Sequence, residues 1–236
     1  MRSPTVIAAL LWAVAAIARA EDAPQVTLSV PPPFATGVTV KHHRRGEDHN
    51  PTHHFITVAP LTEYNGWFGS PLADQADLHG WTVAVFARYN EKVATACAGA
   101  KDGYAANLNI SPEFFGVDER SYMFARFQHK LFRWGRAVSF LSQETQDSPP
   151  NFYVPHNGHL HYEVWGVTPD RRFTVVASVG VSHSKLADWG TDVRNTRTIA
   201  ALKRDKDYKL VENCGAEAFE PTLTAFNRML DTLVIR

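Results

Sequence analysis

His159-Leu160-His161-Tyr162-Glu163-Val164-Trp165-Gly166-Val167, followed by Thr168-Pro169-Asp170-Arg171 and then Arg172-Phe173-Thr174-Val175-Val176-Ala177-Ser178-Val179-Gly180-Val181, is the stretch that decides the fold class. Its first run predicts a strand from His159 to Val167. Pro169-Asp170 predicts a type I turn, and Arg172 to Val181 predicts the returning strand. Val175, Ala177 and Val179 alternate with Val176, Ser178 and Gly180, and residues two apart on a strand share a face.

The pattern extends outward on both sides. Tyr122 to Phe132 reads as a strand with Met123, Ala125, Phe127, His129 and Leu131 on one face. Trp134-Gly135 supplies a turn, and Arg136 to Ser142 reads as the hairpin partner. Further upstream, Phe55 to Ala59, Gly37 to Lys41 and Gln25 to Val30 read as shorter strands. Leu78, Trp81, Val85 and Tyr89 fall at helical spacing, so an amphipathic helix is preferred over Gln75 to Lys92, although Gly80 weakens it and Thr82-Val83 and Val85-Phe86 would also suit a strand. Leu223, Phe226, Met229 or Leu230, and Leu233 form one apolar stripe on a final helix, with Pro221 in its first turn. The expected fold is therefore α+β: a largely antiparallel β-sheet covered by a C-terminal amphipathic helix. A β-sandwich with peripheral helices is the alternative.

Residues 1–20 read as a secretory signal peptide. Met1-Arg2 gives a positive start, Val6 to Ile17 an apolar run, and Ala18-Arg19-Ala20 small residues at the cleavage-determining positions. Residues 21–236 are then expected to be one globular domain, secreted or periplasmic. Arg2 and Arg19 leave with the leader, so 24 basic residues become 22 against 24 acidic ones, a formal charge of −2. That balance argues against nucleic acid as a partner. A second long apolar run is lacking, so no transmembrane segment is expected in the mature chain.

Cys97 and Cys214 are the two cysteines. In an oxidising compartment an even pair reads first as a disulfide, with an entropic gain of roughly 4–5 kcal/mol for so long a loop. Two buried free thiols are the competing reading.

Three segments together resemble a family of bacterial secreted or lipid-anchored proteins whose function is unknown. They are His54-Phe55-Ile56-Thr57-Val58-Ala59-Pro60-Leu61-Thr62-Glu63-Tyr64, Gly135-Arg136-Ala137-Val138-Ser139-Phe140-Leu141-Ser142-Gln143, and His161 to Asp170 continuing through Arg172 to Val181. Phe219-Glu220-Pro221 and the helix after it are similar too. The resemblance implies an exported α+β domain and transfers no catalytic residue. The histidine-rich stretch lies outside the family pattern, and the lipid-anchor cysteine of similar chains is absent.

Chemistry has two candidate places. His42, His43, His49, His53 and His54 put five of eleven histidines within thirteen residues, with Glu47 and Asp48 among them. Imidazoles on a loop suit zinc, copper or nickel, but the spacing matches no catalytic motif, and a polar surface loop is the simpler reading. His159, His161 and Glu163 share one strand face and are the ligand set of a facial divalent transition-metal site. His129, His156 or His183 could complete or support it. The simpler reading is a solvated sheet face, with Leu160, Tyr162 and Val164 turned to the core. Tyr64, Trp67, Phe68, Phe152 and Tyr153 offer a sugar or peptide platform, or anchor their loops. Neither a GxSxG elbow nor a phosphate-binding Gly loop is present. The leading expectation is an exported, non-enzymatic binding or envelope protein with an envelope or extracellular partner and no cofactor. The alternative is a metal-dependent enzyme built around His159-Glu163.

Overall fold

The structure, a computed structural model, describes residues 25–29, 35–43, 53–60, 81–98, 121–145, 155–157, 160–188 and 205–236. In chain order the elements are β1 (Val26–Thr27), β2 (Ala35–His43), β3 (His53–Pro60), β4 (Trp81–Phe86), α1 (Glu91–Cys97), β5 (Ser121–Phe132), β6 (Gly135–Thr145), β7 (Leu160–Val167), β8 (Thr174–Gly180), β9 (Ser182–His183), α2 (Lys206–Asn213), β10 (Phe219–Glu220), α3 (Leu223–Leu230) and β11 (Val234–Ile235). Seven strands form one sheet in the order β2-β3-β4-β8-β7-β6-β5. Every neighbouring pair is antiparallel. β1 pairs with β11 and β9 with β10 in two small separate ladders. The molecule is thus a largely antiparallel α+β fold. The hairpin β7–β8 forms around the Thr168-to-Phe173 turn, where Phe173 N donates to Thr168 Oγ1 and Arg171 N to Thr168 O.

Register explains why this sheet is buried on both sides. Tyr162 lies opposite Leu141 and Val179, while Glu163 lies opposite Phe140 and Ser178. Directly opposed residues share a face. One face carries Val83, Val85, Ala137, Leu141, Leu160, Tyr162, Val164, Val175 and Ala177 into a core with Tyr208, Val211, Leu223, Phe226, Met229 and Leu230. The other carries Ala84, Phe86, Val138, Phe140, Trp165 and Val176 into a core with Val93, Ala94, Ala96 and Cys97 of α1. Central strands buried on two faces carry near-continuous apolar runs rather than a clean alternation. This accounts for Val175-Val176-Ala177.

Several expectations are corrected here. The helix expected over Gln75–Lys92 is a strand from Trp81 to Phe86, threaded between β3 and β8. Val83, Ala84, Val85 and Phe86 are all fully buried, alternating between the two cores. Pairing on both edges overrides the fortuitous helical spacing. The helix begins only at Glu91, where Asn90 Oδ1 accepts from Lys92 N and Val93 N.

The single face expected along Tyr122–Phe132 is broken by a bulge between Ala125 and Gln128, with Arg126 at φ 56°. Ala125 joins the Tyr162 core, whereas Phe127 stacks on Phe140 of the other face at 5.7 Å. An extra residue reverses the pleat.

In the structure Cys97 and Cys214 are both free, the competing arrangement to a disulfide. Cys97 lies in the Trp165 core, its Sγ donating to Trp165 O, while Cys214 packs against the Tyr162 core. The sheet stands between them, and a disulfide spans only about 6 Å between Cα atoms.

Residues 1–20 lie outside the described residues, as do the loop aromatics Tyr64, Trp67, Phe68, Phe152 and Tyr153. Among the described residues, no helix is long and apolar enough to cross a membrane.

Candidate functional site

Glu163 is the buried charge-bearing group of β7, 3% exposed. Its Oε1 accepts from Ser178 Oγ at 3.1 Å and from Ser142 Oγ at 3.4 Å, and its Oε2 accepts from Trp165 Nε1 at 3.2 Å. Burial pushes its pKa up to about 7, against these three hydrogen bonds, which pull it down. A carboxyl held this way is a core group rather than an open ligand. The face it occupies is therefore not the solvated one that the alternation suggested.

His161 sits two residues earlier, at the register of Ser142 and Gly180; His159 lies outside the described residues. The other histidines named with this strand make local contacts of their own. His129 is exposed and lies edge-on to Phe127. The His156 ring Nδ1 stands 3.0 Å from Asn157 O. His183 Nδ1 accepts from Lys185 N, and its ring stands edge-on to Phe219. Among the described residues, no group of three or more His, Cys, Asp or Glu converges as a metal site. The histidine-rich stretch is partly strand rather than loop: His42 opposes His54 and His43 opposes His53 across β2 and β3. His49 lies outside the described residues.

A second place was not singled out by the sequence. Consecutive hairpins of a meander open at alternate ends, so the β5–β6 and β7–β8 turns fall at the same end of the sheet, where Arg136 opposes Val167. Helix α1 lies beside them. Between α1 and the two turns runs an open cleft of about 580 Å³. Glu91, Ala94 and Thr95 of α1, with Ala98 just after it, form one wall. Leu131, Arg133, Gly135 and Arg136 border it from the first turn, and Thr168, Pro169 and Arg171 from the second.

The turns are stiffly built. Gly135 packs so closely on β7 that a Cβ there would stand 2.2 Å from Val167 O. Thr168 Oγ1 bonds Asp170 Oδ1 and receives Phe173 N, while Asp170 Oδ1 also receives Arg172 N. This network holds Arg171 at φ 59°, a left-handed conformation unusual for a residue with a Cβ. Its guanidinium reaches back to Glu91 at 2.6 Å and lies 4.8 Å from the Tyr89 ring centroid. Arg133 pairs with Asp231 at 3.3 Å. Arg136 is exposed, and among the described residues no carboxylate faces it within ion-pair reach.

Comparison with family models, curated proteins and solved structures found no match to this chain. The class defined by fold and site is an antiparallel α+β domain with a turn-and-helix cleft at one end of its sheet.

Proposed function

We propose that this chain is an exported binding protein without an enzymatic role, secreted or periplasmic, and that its ligand occupies the cleft between α1 and the two turns. The observation that carries the reading is the cleft itself. Its size suits a small molecule, and its walls are a capped helix and two wired turns. Glu163, in contrast, has its oxygens engaged inside the core, which weighs against the metal-dependent enzyme. Export rests on the leader-like residues 1–20 and on the resemblance to secreted bacterial α+β proteins. The C-terminal helix as the cover of the Tyr162 face belongs to the same proposal. It is supported by the Tyr162 hydroxyl bonding Asn227 at 3.1 Å, by Phe226 edge-on to Tyr162, and by Trp134 Nε1 donating to Leu230 O.

The test has two readouts on one preparation. The full chain is expressed with its own leader, and the exported product is weighed by mass spectrometry; a start at Glu21 is expected. A panel of envelope metabolites is then screened by thermal shift against that product and against Thr95→Trp, which fills the cleft from the exposed side of α1. A genuine ligand at 100 times its Kd stabilises the wild type by about 2.7 kcal/mol and leaves Thr95→Trp unmoved. Retention of residues 1–20, or stabilisation equal in both forms, would overturn the proposal.

A further inference from the structure

We infer that the cleft takes an anion: a small molecule bearing a carboxylate or phosphate group on an apolar body, with the Arg136 guanidinium as its contact. This rests on the binding reading above and names the chemistry of that site. Among the described residues that line the cleft, three carry guanidiniums, Arg133, Arg136 and Arg171, and one carries a carboxylate, Glu91. With Asp231 on Arg133 and Glu91 on Arg171, the uncompensated charge among these is that of Arg136.

The three arginines are not equivalent. Arg133 and Arg171 are tied to Asp231 and Glu91, which fixes two positive edges. Arg136 lies between the two turns, with no such carboxylate among the described residues. A planar guanidinium left uncommitted beside two fixed ones matches the fork geometry of a carboxylate or phosphate. The backbone of Arg171 points the same way. A residue held against its own conformational preference by four turn hydrogen bonds marks a place where position matters more than local stability.

The other half of the ligand follows from the apolar lining. Leu131 is 87% exposed. It borders the cleft together with Tyr89, Ala98 and Pro169. An exposed large side chain beside a charged pocket is what an amphipathic ligand would cover.

The experiment uses the isotopically labelled full chain and three probes of one shape: phenyl phosphate, benzoate and benzyl alcohol. Backbone amide shifts are followed on titration, for the wild type, Arg136→Gln and Arg136→Lys. The two anions are expected to move the amides of Thr95, Arg136 and Thr168, with the neutral alcohol at least about tenfold weaker, as one charge-assisted contact implies. Arg136→Gln is expected to lose about tenfold or more of anion affinity, and Arg136→Lys to recover part of it. The tighter anion identifies the group. Equal binding of benzyl alcohol, or undiminished anion binding by Arg136→Gln, overturns the anion inference and leaves the cleft as a binding site. Silence at the cleft amides with all three probes overturns the binding reading as well. Arg136 is exposed, so an unchanged amide spectrum away from the cleft shows that the variants are folded.

Discussion

Glu163 belongs to a ligand-like pattern in the sequence and is a buried, hydrogen-bonded carboxyl in the fold. Its spacing from His161 satisfies a ligand pattern, but pairing with β6 and β8 surrounds it with Ser142 and Ser178. The sign of its pH effect follows from its shift. Its pKa rises from 4.5 unfolded to about 7 folded, so the native state holds the proton more tightly. The stabilisation is fully present below pH 4.5 and is lost as pH rises through about 7. At 1.36 kcal/mol per pH unit, the whole change is about 3 kcal/mol. Glu163→Gln keeps a neutral group that can accept from Trp165 Nε1 and donate to a serine Oγ. Urea unfolding at pH 4.5 and pH 8 should therefore show the variant gaining on the wild type by up to about 3 kcal/mol. A difference that stays constant with pH would exclude Glu163 as the titrating group.

Among the elements, α1 is the one whose position matters to the cleft. It is only seven residues long, so its own propensity stabilises it little. What holds it is the buried face of Val93, Ala94, Ala96 and Cys97 on the Trp165 core, and the Asn90 cap at its start. Asn90 is itself fixed through its backbone N, which donates to Thr174 Oγ1 on β8. Asn90→Ala is expected to cost about 1 kcal/mol in denaturant unfolding. Most of the loss should come from local opening of α1, read as faster amide exchange at Val93 and Ala94 with the β7 and β8 amides unchanged. Uniform loss of protection across the sheet would contradict this. The strand β4 before it is ambiguous in the sequence because Leu78, Trp81, Val85 and Tyr89 satisfy a helical period, while the Thr82-Val83-Ala84-Val85-Phe86 run equally suits a strand buried on two faces.

At the scale of the whole molecule, the sheet is a partition. It keeps Cys97 and Cys214 in different cores, and burial pushes the Cys97 thiol up to about 11. Alkylation of the denatured, unreduced chain should add two iodoacetamide masses. Under native conditions Cys97 should react far more slowly than an ordinary thiol, because little thiolate exists and its side chain is buried in the Trp165 core. Zero adducts after denaturation would show that the pair is oxidised, and that the two cores are arranged differently from this description.

The sequence by itself determined the hairpins. Thr168-Pro169-Asp170 and Trp134-Gly135 are local turn chemistry, and the alternating runs beside them need only their nearest neighbour to form a ladder. The antiparallel α+β class followed from these local signals. Which strand would lie in the middle was decided only in three dimensions. The joining of β4 to β8 pairs residues about ninety positions apart, and no local pattern encodes so distant a partner. That single joint buries both faces of β4 and β8. The cleft is a consequence at the same scale. Arg133, Arg136 and Arg171 are ordinary turn charges in the sequence. They become one surface because alternate turns of a meander share an end of the sheet, and because α1 packs beside them. Charge convergence of this kind depends on strand order, which non-local pairing sets.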